Sequence, residues 1–149
     1  MTHFTALMLV LAYTAGLMSD KEIGYPMFTY AFRHANIFHL ACNLIAIYSI
    51  KDFRYLPSMA IGVICYMLPR CTEYTVGFSG VICAAIGIIW GEYFATGSTR
   101  RNRIKFVTCT VLPLCLSLFI PQIDGLIHIY ALILGLIYGY IRRRNRKTR

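Results

Sequence analysis

Residues 74–91 read Tyr-Thr-Val-Gly-Phe-Ser-Gly-Val-Ile-Cys-Ala-Ala-Ile-Gly-Ile-Ile-Trp-Gly, eighteen in succession without an Asp, Glu, Lys or Arg. A helix that crosses the hydrocarbon core of a bilayer needs about 17–25 such residues. Five more uncharged runs surround this one: 1–19, 34–50, 55–69, 106–123 and 125–141. The six runs take 104 of the 149 residues, and the 45 that remain are too few to shield them from water. Charged residues make up 14% of the chain, against about 25% in soluble domains. The expected fold is therefore an all-α polytopic membrane protein with six transmembrane helices. Its membrane domain covers residues 1–141, and a basic cytoplasmic tail follows over 142–149.

A net charge of +9 raises the question of nucleic acid, and the placement of the charges answers it. If the runs alternate across a bilayer, Lys51, Arg54, Arg100, Arg101, Arg103, Lys105 and the six basic residues from Arg142 to Arg149 share one side. Only Lys21, Arg33 and Arg70 fall on the other. A 12:3 division is the positive-inside pattern of a membrane protein. It predicts a multi-pass protein of the cell (inner) membrane with both termini cytoplasmic. The basic tail reads as an anchor near anionic lipid, and no aromatic interleaving supports a nucleic-acid partner.

The first run has no Lys or Arg ahead of its apolar stretch and no small-residue cleavage site after it, so it reads as a membrane helix, not a signal peptide. The outer loops are expected at about 19–30, 69–76 and 121–125. The third helix, near Tyr55–Leu68, is short for a span, and Pro113 is expected to kink the fifth. The six cysteines form no CxxC pair, and all but Cys71 lie in apolar runs. They read as small buried hydrophobes, with no disulfide framework, metal or cofactor implied.

The chemistry lies in the polar residues left inside these runs. His34, His39 and Asn43 form His-x-x-x-x-His-x-x-x-Asn. On a helix His39 and Asn43 are about 40° apart, whereas His34 lies about 140° from His39. Ser79 sits between Gly77 and Gly80 at the outer end of the fourth run. Below it Gly80, Ala84, Gly87 and Gly91 form a smooth stripe. The sixth run has a matching stripe of His128, Ala131, Gly135 and Gly139. Small-residue faces let membrane helices approach closely. If these two meet, Ser79 and His128 meet at the same end as a Ser–His dyad.

These residues resemble the rhomboid intramembrane serine proteases over nearly the whole chain. Composition alone predicts about 0.03 Gly-x-Ser-Gly occurrences in such a chain, so its pairing with the His/Asn pattern is specific. The resemblance implies Ser79 as nucleophile and His128 as general base, without an acidic third member. It also implies that His39, Asn43 and the Ser79 backbone N–H bind the oxyanion, with His34, Gly77 and Gly80 in supporting roles. The implied partners are the lipid bilayer and single-span membrane proteins, cleaved within their transmembrane segments at a site opening to the outer face. Four positions depart from the family pattern: Tyr25-Pro26 replaces a usual Trp-Arg pair, Cys83 an aromatic residue, and Ala131 a glycine. Asp124 is expected to be solvated in the outer loop. The alternative reading is a catalytically inactive protein of the same fold that binds client transmembrane helices. A haem protein with histidine ligands is a weaker third.

Overall fold

The computed structural model describes residues 2–17, 29–69, 76–120 and 123–147. Every uncharged run carries a helix: α1 (Thr2–Leu17), α2 (Ile37–Ser49), α3 (Tyr55–Tyr66), α4 (Ser79–Ala95), α5, and α6 (Gly125–Lys147). α5 consists of Arg100–Phe106 and Leu112–Ser117 joined by a π-helical turn, Val107–Val111. A 3-10 turn, Tyr30–Phe32, precedes α2, and no strand occurs among the described residues. Tyr25, Pro26, Cys71, Pro121 and most of the two longer outer loops lie outside the described residues.

Among the described residues, only α6 is by itself long and apolar enough to cross a membrane, over Gly125–Arg146, 22 residues of mean hydropathy 1.5. α2 and α3 have 13 and 12 residues, which at 1.5 Å each reach about 20 and 18 Å. The hydrocarbon core is about 30 Å thick. Among the described residues the expectation of six full spans thus becomes six helices, of which α6 alone has the length and apolarity of a span. The reason is that uncharged runs include residues the chain uses outside helices, such as His34–Asn36 ahead of α2 and Val76–Phe78 ahead of α4. The outer surface is nevertheless apolar: Phe38, Leu56 and Phe119 are each more than three-quarters exposed.

α4 and α6 form the centre of the bundle, and their glycines explain how. A methyl group placed on Gly87 would lie 3.1 Å from the Gly135 Cα, and one placed on Gly135 would lie 3.1 Å from the Gly87 Cα. Larger residues there would force the helices apart. Further along, a methyl on Gly91 or Gly139 would run into the Leu136 or Ile88 carbonyl oxygen. Leu9, Ile47, Ile61, Cys65 and Ile88 fill the space between this pair and α1, α2 and α3.

Sequence expectations change in three places: Cys42, Cys109 and Cys115, read as buried, are exposed, and the tail and Asp124 differ as follows. α6 continues through Lys147, so residues 142–147 of the expected tail are helical. Arg142 pairs with Glu92 of α4, and Arg54, next to α3, lies 3.7 Å from the same carboxylate. The run of arginines continues the helix because its first member is held by an acid on the neighbouring helix. Pro113, expected to kink the fifth helix, is the second residue after the π-helical turn of α5. A proline lacks the N–H that the preceding turn would use, and a widened turn is one way to absorb that loss. Asp124 is buried at 6% exposure, not solvated. Helix α6 starts at the next residue, so the Asp124 carboxylate accepts from the Ile127 N–H at 3.4 Å and caps it.

Candidate active site

The turn ahead of α4 is built around Gly77, whose φ of +108° is a conformation L side chains rarely adopt. Its N–H donates to the Tyr30 carbonyl at 2.9 Å, tying the turn to the 3-10 segment before α2. Phe78 is fully buried and stacks against Phe53 (ring centroids 6.2 Å apart), with Phe32 tilted against it at 6.1 Å. With the turn fixed on both sides, Ser79 becomes the first residue of α4. A backbone N–H at that position has no intrahelical acceptor and is left for another partner.

His128 lies in the first turn of α6, where the glycine contacts between α4 and α6 bring it beside the serine. The Ser79 Oγ is 2.7 Å from the His128 Nε2. With the hydroxyl donating, Nε2 accepts, which is the arrangement a general base requires. Ala131, one turn on, is fully buried.

α2 supplies the remaining polar groups. Asn36 caps it, accepting from the His39 N–H at 2.8 Å, and so sets the start of the helix and the direction of His39. The His39 ring lies against Gly77: a Cβ there would fall 2.5 Å from its Cε1 and 2.6 Å from its Nε2. The Asn43 amide nitrogen is 3.4 Å from the same point. Both side chains therefore border the turn that ends at Ser79. Asn43 is 4% exposed, and its Nδ2 donates to the His34 Nε2 at 2.8 Å. The His34 Nδ1 in turn faces the Phe32 carbonyl at 3.2 Å, which places the proton on Nδ1 and leaves Nε2 to accept. The His34 and His39 rings meet edge-on with centroids 5.1 Å apart. An amide has two N–H donors, so Asn43 keeps one after its bond to His34.

The structure thus groups Ser79 with His128, and His34, His39 and Asn43 around Gly77. The two glycines differ. A Cβ on Gly80 would meet nothing closer than the Tyr30 hydroxyl at 3.6 Å, an ordinary contact. Gly77→Ala is expected to destabilise the fold by about 1–3 kcal/mol from backbone strain alone, with a further loss from displacing His39. Gly80→Ala should fall within about 1 kcal/mol of wild type, because the added methyl meets only ordinary contacts and alanine is at least as good a helix residue as glycine. Unfolding midpoints in detergent check the pair, and equal effects would remove the special role of Gly77.

Sequence reasoning missed Asn36 and Tyr30. Asn36 was legible, since an asparagine directly before an apolar helical pattern is a start signal. Tyr30, buried at 3% exposure and stacked on Tyr66 at 4.6 Å, has no local signature. Its position depends on α3 and α4, which follow it in the chain.

A family model, the Rhomboid domain, matches residues 53–145. The match spans α3 to α6 and includes both Ser79 and His128, while His34, His39 and Asn43 precede it. No curated protein matches the sequence. The matched segment is well over half of the chain and contains the α4–α6 pair on which the site is built, and on that ground the chain belongs to the rhomboid family.

Proposed function

We propose that this chain is an intramembrane serine endopeptidase that cleaves the transmembrane segments of single-span membrane proteins. Members of its family are integral membrane proteins, and the observation that carries the reading is the 2.7 Å contact between Ser79 Oγ and His128 Nε2. In the proposed reaction His128 takes the hydroxyl proton as Oγ attacks the scissile carbonyl. The negative charge that develops on the carbonyl oxygen is met by the Ser79 N–H, the second Asn43 N–H and His39. Preoriented donors of this kind act strongly in a water-poor site. His128 then gives its proton to the leaving amine, and water releases the acyl group by the reverse sequence. The substrate helix must unwind locally, because its carbonyls are otherwise engaged in backbone hydrogen bonds.

The test is co-reconstitution of the full chain with a single-span substrate in liposomes, followed by mass spectrometry of the products. Two fragments with new termini inside the transmembrane segment support the protease. Intact substrate that co-purifies with the chain would favour the non-catalytic binding alternative.

The division of basic residues adds a prediction of topology. A tag after Arg149 should be reachable only from the cytoplasm, and one inserted at Glu73 only from outside. The Arg149 tag appearing on the outer face would invert the site and change the substrates that can reach it.

A further inference from the structure

α5 is attached to the bundle mainly on one side. Phe106 packs against Trp90 and Phe94 of α4, with ring centroids 5.3 and 5.2 Å apart. Its other side carries an open groove of about 530 Å³ lined by Arg100, Arg103, Ile104, Val107 and Thr108. These residues follow the i, i+3, i+4, i+7, i+8 spacing of a single helical face. The groove is polar at one end only. Ile104 and Val107 are 53% and 52% exposed, and the Thr108 hydroxyl is occupied by the Ile104 carbonyl at 3.0 Å. Arg100 and Arg103 make no ion pair among the described residues, and Glu92, at the nearby end of α4, is taken by Arg54 and Arg142. The segment 93–105 holds no acidic residue at all.

We propose that this groove is a binding site for an anionic phospholipid, at the end of the bundle opposite Ser79. The two guanidinium groups hold the phosphate, since arginine matches phosphate geometry with paired N–H donors. The first part of an acyl chain lies over Ile104 and Val107. The groove straddles the change from the charged segment to the uncharged run that starts at Phe106, where headgroup and acyl chain divide. A free phosphate is a poorer match, because beyond the arginines the groove offers it no donor. The proposal depends on the membrane location of the family and is independent of the protease reading.

Native mass spectrometry of the full chain, exchanged from detergent containing equal amounts of phosphatidylglycerol and phosphatidylcholine, tests it. At about fivefold per arginine, two arginines should favour retention of phosphatidylglycerol by tenfold or more. Arg100→Gln/Arg103→Gln should bring the ratio within about twofold, and Arg103→Gln alone should give an intermediate value. Both side chains are exposed and hold no carboxylate, so unchanged helicity and melting are expected. Arg143→Gln/Arg144→Gln should keep the preference. Equal retention of the two lipids by wild type, or an unchanged preference in the double variant, would overturn the site. So would an equal loss in the Arg143/Arg144 variant, which would indicate diffuse attraction, or displacement of the lipid by inorganic phosphate.

Discussion

Ser79→Ala and His128→Ala are each expected to abolish cleavage of a single-span substrate, and the double variant should be no worse than either. In the proposed reaction the two side chains act as one unit, with Oγ and Nε2 2.7 Å apart. In a hydrolase of this type, losing either member costs about 10⁶ in kcat, and such losses do not add. The comparison that distinguishes a dyad from a triad is Asp124→Asn. Asp124 stands four residues before His128, within reach of an orienting role, and it is buried. Its carboxylate, however, accepts from the Ile127 N–H as a helix cap, and asparagine caps equally well. Asp124→Asn should therefore retain the fold and cost less than about tenfold in kcat, whereas a triad aspartate costs about 10⁴. A thousandfold loss in a folded Asp124→Asn protein would make Asp124 a third catalytic member.

The second large effect is expected at Asn43. Removing one oxyanion donor costs about 10²–10³ in rate, so Asn43→Ala should lower kcat by that order with little change in KM. The backbone N–H and His39 remain and can reduce the loss. In the proposed reaction His34 would act through Asn43, because its Nε2 accepts from the Asn43 amide while its Nδ1 is held at the Phe32 carbonyl. His34→Ala should thus lower kcat in the same sense and by less, and His34→Gln, which still offers an acceptor, should restore part of it. Equal kcat in Asn43→Ala and wild type would make the amide a packing group. A kcat unchanged in His34→Ala would uncouple the pair.

The helix count and the meeting of α4 with α6 were legible in the sequence because both are written as patterns. Uncharged runs mark the helices, and glycines at helical spacing mark the faces that touch. Helix lengths were less legible. A run such as 34–50 has no charge to show that His34–Asn36 precede the helix and that Asn36 caps it. The same omission misplaced His34. The helical-wheel angle set it about 140° from His39, but His34 lies before the cap, where that angle does not apply, and its ring meets His39 and Asn43. Asp124 failed for a related reason. Gly125 and Pro121 resemble loop punctuation, yet Gly125 is the first residue of α6, and that makes its neighbour a buried cap. Long-range partners such as Glu92 and Arg142 have no local signal, since their contact spans 50 residues of chain.

The most direct test of the account is the site of modification by a serine-directed fluorophosphonate, read by peptide mass spectrometry on the detergent-solubilised full chain. A single phosphonate adduct on Ser79 is expected, absent from Ser79→Ala and strongly reduced in His128→Ala, where no base takes the hydroxyl proton. An adduct on another serine, or equal labelling of wild type and Ser79→Ala, would contradict it.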